Sequence, residues 1–310
     1  MSQFFTAAVL TATVASGIQL ATPFLLAALG ETMGQRSGVV NLGVDGIMLL
    51  GAFAAYLVAV HTGSLLLASV AGAATGLGMG FVTALVSVTL KAEQGISGIG
   101  VFLFGLGLTD LLLLKLFPSP VNVAALPAVG VPLLDRVPVI GPMFFQQNWL
   151  VYLAFALVPV LTLVLNRTTY GMKIRAVGEN PAAADTVGVS VARIRYSTVL
   201  IGCTLAGLAG ATLLLMIGIF QQDITNSEGF IAVALVYFGA FRPAGVMAGS
   251  LLYGMVGSIV LTWKTLGIIP LSASDIAAMA PAVITVLALL SVARRFRQPA
   301  VLGRPYERGA

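Results

Sequence analysis

Two polar stretches and a few isolated charges hold most of the groups in this chain that could do chemistry. The first stretch runs Glu31–Thr–Met–Gly–Gln35–Arg36–Ser–Gly–Val–Val–Asn41–Leu–Gly–Val–Asp45–Gly46 and lies between two apolar runs. A buried polar group costs several kcal/mol without a hydrogen bond. Such a segment persists at membrane depth only when it packs in protein or lines a wet cavity. One reading is therefore a re-entrant or broken helix beside a solute pathway. The other is a cytoplasmic turn with Glu31 paired to Arg36 and Asn41 capping the next helix. Physics alone leaves both open. The second stretch is Thr169 to Gly188. In it Asn180 suits an N-cap, Pro181 the first helical position, Ala182 to Ala184 the helix body and Gly188 its stop. This predicts a short helix of about two turns outside the bilayer, small-faced, with Glu179 and Asp185 at its ends. It suits docking in another protein's groove, or serves as an ordinary connection.

The isolated charges are Asp110 and Lys115 inside an apolar run, and Asp223, Glu228 and Asp275 near run ends. Charges at membrane depth are functional suspects. Lys115 is placed to snorkel. Asp110 either hydrogen-bonds within the bundle or faces the pathway, and solvation at the outer surface accounts for the other three. The lone cysteine, Cys203, and lone histidine, His61, exclude a disulfide and a Cys-based metal site. No cofactor or metal is implied. No G-x-x-x-x-G-K-[ST], H-E-x-x-H or G-x-S-x-G sequence occurs. ATP binding of the P-loop kind and hydrolase chemistry of those kinds lack their residues.

The elements that must position these groups are membrane helices. Of 310 residues, 58% are hydrophobic and only 9% charged, against about 25% charged in soluble domains. Apolar runs long enough to cross a bilayer fall near 4–29, 39–60, 65–90, 96–117, 148–166, 197–220, 230–241, 243–263 and 279–293. The expected fold is an all-α polytopic bundle of about nine (8–10) transmembrane helices in a single domain, 1–310. The 230–241 run is short and is expected either to begin nearer Asp223 or to be a half-helix. No Lys or Arg precedes Arg36, so no cleaved signal is expected.

Basic residues set the orientation. Arg167, Lys173, Arg175, Arg193 and Arg195 crowd the loop 167–196, and Arg294, Arg295, Arg297, Arg304 and Arg308 the tail 294–310. Both are expected in the cytoplasm, with Arg36, Lys91 and Arg242, which puts the N-terminus outside. The Pro-rich connection 118–147, with Arg136 balanced by Asp135, is expected as an ordered external loop. The few bases sit at run ends, which gives a nucleic-acid partner no support. Gly72, Gly76 and Gly80 share one helix face, as do Gly245 and Gly249, and Gly207 and Gly210 sit in an Ala-rich run. They are read as packing stripes. Asn41–Leu–Gly–Val–Asp45–Gly46 is echoed by Asn226–Ser–Glu228–Gly229, each leading into an apolar run in opposite directions. Inverted repeats with broken helices build many transporters.

Three segments carry a family resemblance: Gly34 to Ala52, Tyr170 to Gly188, and Gly229–Phe–Ile–Ala–Val–Ala–Leu with Arg242–Pro–Ala–Gly245. Together they resemble permeases of the ribose/branched-chain-amino-acid ABC importer family, and the wording of Arg36 to Gly51 is most similar to the nucleoside type. That type typically has Glu where this chain has Gln35 and Asp45. The resemblance implies a non-enzymatic transport subunit in a bacterial cytoplasmic (inner) membrane. It implies cytoplasmic ATPase subunits, a second, related permease chain and an extracytoplasmic binding protein as partners, with alternating access between two permease chains. It makes Glu179, Asn180, Pro181, Ala182, Ala183 and Asp185 the helix coupled to the ATPase, and Asn41 and Asp45 pathway residues. Asp110 and Glu228 join the pathway set as intramembrane carboxylates. Ribose, other simple sugars or branched-chain amino acids are the alternative solutes. A stand-alone proton-coupled transporter is a further alternative.

Overall fold

The computed structural model describes residues 7–119, 121–132, 134–135, 137, 140–292 and 298–307. Pro120, Arg136 and Pro138 of the connection 118–147, and Arg294, Arg295, Arg297 and Arg308 of the tail, lie outside the described residues. The helices are α1 (Ala7–Arg36), α2 (Val44–Thr62), α3 (Leu65–Ala84), α4 (Gln94–Leu116), α5 (Trp149–Arg167), α6 (Thr169–Glu179), α7 (Pro181–Thr186), α8 (Val191–Ile217), α9 (Glu228–Phe238), α10 (Pro243–Thr265), α11 (Ser274–Ala278) and α12 (Ala280–Val292). Caps set many of the boundaries. Ser64, Glu93, Asn148, Thr168 and Ser190 accept from backbone N–H groups of the first turns of α3, α4, α5, α6 and α8, satisfying donors a helix leaves orphaned. Glu93 takes the N–H groups of Ile96 and Gly95, which hold its carboxylate below the usual range.

Seven of these helices, α1 to α5, α8 and α10, are long and apolar enough to cross a membrane. The chain is a polytopic helical bundle. α9 has 11 residues, about 16 Å at 1.5 Å per residue, roughly half of a hydrocarbon core. The expected 230–241 run is therefore a half-helix, and the irregular stretch 218–227 supplies the rest of its course. α12 is described over 13 residues, up to Val292. Helix α1 runs to Arg36, seven residues past the expected end, and α2 starts at Val44 rather than 39. The polar stretch is thus partly the last turns of α1.

The core lies where α1, α2 and α8 meet, with α3 laid against α8. Glycines make that contact possible. A Cβ on Gly207 would stand 2.3 Å from the Gly72 carbonyl oxygen, and one on Gly76 2.2 Å from that of Cys203. In lipid this close backbone approach replaces the hydrophobic drive. α4 is peripheral: only 11% of its apolar window is buried, and Leu103, Phe104, Leu111 and Leu114 point outward.

The connection 118–147 folds over one end of the bundle. A two-residue antiparallel pairing joins β1 (Val129–Gly130) to β2 (Gln146–Gln147). Tyr56 Oη donates to the Val121 carbonyl at 2.9 Å, and the Val123 and Leu126 N–H groups donate to the Gly218 and Leu215 carbonyls at the end of α8. The opposite end gathers the basic residues. Arg175, Arg242 and Glu179 each lie within electrostatic reach of Arg36, and Lys91 pairs with Glu307 of the tail at 3.0 Å.

Candidate functional site

The turn joining α1 to α2 is inside the protein. Glu31 Oε1 accepts from the Asn41 N–H at 2.9 Å and from Gln35 Nε2 at 3.2 Å. Gln94 Oε1, at the start of α4, accepts from the Val40 N–H at 2.8 Å. Ser37 Oγ shares a 2.8 Å hydrogen bond with Thr198 of α8. Asn41 Oδ1 accepts from the Gly43 N–H at 2.9 Å, and its amide donates to Cys203 Sγ at 3.5 Å, near the middle of the 27-residue α8. Non-helical backbone beside mid-α8 is a break within the bundle rather than a surface turn. Two details of the surface-turn reading are corrected. Glu31 is engaged by Gln35 and Asn41, not Arg36. Asn41 turns back on its own loop, and Gly43 sits at the N-cap of α2 with no side-chain cap.

Asp45, fully buried in the first turn of α2, reaches across to α9. Its Oδ1 accepts from the Gly229 N–H at 2.7 Å and its Oδ2 from Thr225 Oγ1 at 3.0 Å. The carboxylate caps a helix distant in sequence, at the positive end of its dipole. Close approach demands glycine there: a Cβ on Gly229 would meet Asp45 Cα at 2.4 Å. The two echoed sequences therefore touch. From this contact α2 runs toward Tyr56 and the connection 118–147, and α9 toward Phe241 and the basic end. The backbone around α9 is strained. Asp223, Asn226 and Ser227 before it, and Ala240 and Phe241 after it, all have positive φ without being glycine.

Asp110 and Glu228 belong to the same region. Asp223 lies within electrostatic reach of both Asp45 and Asp110, and Asp45 within reach of Glu228. Among the described residues, Asp110 Oδ1 and Glu228 Oε2 are buried oxygens without a hydrogen-bond partner. Surface solvation does not describe Glu228, which is half-buried at the head of α9. No three His, Cys, Asp or Glu among the described residues lie close enough to hold a metal ion. Thr225 and Gly229 escaped the sequence reading as partners of Asp45. The echo of Asn41–Gly46 in Asn226–Gly229 was the only signal available, since a contact across 184 residues leaves no periodicity.

At the basic end, α6 and α7 form a corner at Asn180. Its Oδ1 accepts from the Ala183 N–H at 3.0 Å, and Pro181 takes the first helical position. Pro181 and Ala184 are buried; Ala182, Ala183, Thr186 and Val187 are exposed, with Glu179 and Asn180 at the exposed corner. Gly188 follows with φ of 84°. α6 was not anticipated as a helix. It seats on the end of α1 so tightly that a Cβ on Gly178 would lie 2.2 Å from the Arg36 carbonyl oxygen. The tail clasps the same corner. The Val301 N–H donates to Gly178, the Gly303 N–H to Gly38, Arg195 Nη1 to the Arg304 carbonyl and Tyr306 Oη to Asp185.

The chain has relatives among known proteins. The family described as the permease component of the branched-chain amino acid transport system matches residues 13–292. The chain belongs to this family. Among its relatives, the permease is 39% identical to the putative glucose ABC transporter permease protein TsgC13 of Haloferax volcanii, over 85% of this chain and 80% of TsgC13. It is 32% identical to the guanosine ABC transporter permease protein NupQ of Bacillus subtilis, over 97% of this chain and 98% of NupQ. It is 33% identical to the nucleoside ABC transporter permease protein NupC of Lactococcus lactis, over 89% and 90%. The permease is thus the membrane-spanning transport component of an ABC transporter.

Proposed function

We propose that this permease moves nucleosides into the cell through a pathway beside the α2–α9 junction, driven by ATPase subunits that dock on α7. The observation that carries the coupling half is the corner at Asn180. It is a capped helix with an exposed small-residue face, rooted through Gly178 in the end of α1 at the basic end of the bundle. Basic residues mark the cytoplasmic side. A push on α7 therefore has a stiff route into the helix that carries Glu31 and packs on α8 and α10. The unit is a single domain with its loop 118–147 outside, and 167–196 and the tail inside, in the cytoplasmic membrane. Its partners are the ATPase subunits, a second and related permease chain, and an extracytoplasmic binding protein.

For the pathway, Asp45, Asp110 and Glu228 gather round the head of α9, with Asn41 one turn before Asp45. α9 is the natural moving part, being short, strained at both ends and held at its head by one carboxylate. Guanosine and nucleosides are the solutes named for NupQ and NupC, which align with nearly the whole chain. The name of TsgC13 favours glucose as the second reading.

Replacing Asn180 and Pro181 together by Gly removes the cap and the preset φ, and is expected to destabilise the corner by about 1–2 kcal/mol. ATPase subunits should co-purify poorly with this variant while its membrane insertion stays normal. Normal co-purification would remove α7 from the docking role.

A further inference from the structure

A cavity of about 300 Å³ opens between α1, α9, α10, α11 and α12. That size is at the lower bound for small-molecule sites, about 300–1,000 Å³. Its walls divide by chemistry. Phe24 of α1 and Tyr253 of α10 lie with ring centroids 4.6 Å apart and form an aromatic side. Glu228, Asn226 and Lys264 form a polar side. Glu228 Oε2 has no partner among the described residues, although its backbone is fixed. The Glu228 N–H donates to Thr225 and the next N–H to Asp45. A buried, oriented acceptor left unpaired costs free energy, and a solute bearing N–H or O–H donors would satisfy it. On the floor, Gly257 faces space: a Cβ there would meet nothing nearer than Pro281 Cγ at 3.9 Å.

We propose that this cavity is the resting site of the solute within the permease, and that it takes a nucleoside. The base would lie against the Phe24–Tyr253 side, and base N–H or ribose hydroxyl groups would donate to Glu228. This rests on the nucleoside reading above. The site adjoins the Asp45 clamp on α9, so movement of that half-helix would carry Glu228 with it.

The test uses the full transporter, with its ATPase subunits, second permease chain and binding protein, in proteoliposomes offered labelled guanosine and, separately, labelled glucose. Gly257→Leu places a side chain in the cavity without meeting backbone, and its effect is read with ATPase co-purification as the check on assembly. Guanosine uptake is expected to fall at least about tenfold in Gly257→Leu and about tenfold in Glu228→Gln. Tyr253→Ala, which removes that aromatic wall, should also lower guanosine uptake. Wild-type uptake by assembled Gly257→Leu and Glu228→Gln would overturn the site. Wild-type uptake by assembled Tyr253→Ala would overturn the role given to the ring. A wild-type transporter that moves glucose and not guanosine would overturn the nucleoside reading. The same variants assayed on glucose would then show whether the cavity is a solute site at all.

Discussion

Asp45→Ala is expected to abolish uptake and to destabilise the permease itself. The carboxylate holds the Gly229 N–H and the Thr225 hydroxyl at a fully buried position. Each such group left without a partner costs about 1–3 kcal/mol, so the loss should be on the order of 2–5 kcal/mol. It should appear as a lowered midpoint of thermal unfolding in detergent. Asp45→Asn keeps the shape and one carbonyl acceptor, and should fall between Ala and wild type. A residue that merely lined the pathway would lower uptake and leave the unfolding midpoint unchanged. Unchanged stability in Asp45→Ala would therefore show that α9 is not clamped by this side chain.

Gly178→Val is expected to separate ATP hydrolysis from transport. Its Cβ would fall 2.2 Å from the Arg36 carbonyl oxygen, a distance that backbone must relieve by moving α6 off α1. Overpacking of this kind costs about 1–3 kcal/mol. The exposed face of α7 is unaltered, so the ATPase subunits should still co-purify. Uptake per ATP hydrolysed should fall at least about tenfold as the route from α7 into α1 loosens. This is the reverse of the Asn180/Pro181 variant, in which docking itself is lost. Normal uptake per ATP in Gly178→Val would mean that force travels by another route, such as the contact of Tyr306 with Asp185.

The sequence displayed much of this architecture, for identifiable reasons. Long apolar runs declare membrane helices because lipid permits little else, and seven of the nine expected spans fall on the seven long helices. Asn180–Pro181 declared a helix start because capping is local, and the cap formed as the residue types required. The half-helix was visible in the shortness of 230–241. What escaped detection depends on contacts between distant segments. Asp45 read as a pathway carboxylate because nothing near it in sequence shows that Gly229 will supply an N–H. Nothing near Gly178 marks it as a contact, because its partner is the end of α1. Glu228 drew both a surface and a pathway reading, because the burial of its Oε2 leaves no local signature. The tail's hold on Gly38, Gly178 and Asp185 likewise carries no local signature.

The most direct measurement is ATP-dependent uptake of labelled guanosine into proteoliposomes holding this permease with its neighbouring permease chain, ATPase subunits and binding protein. Uptake that requires ATP and disappears when the ATPase subunits are omitted is the expected result. Uptake by this chain alone, driven by a proton gradient and indifferent to ATP, would contradict it.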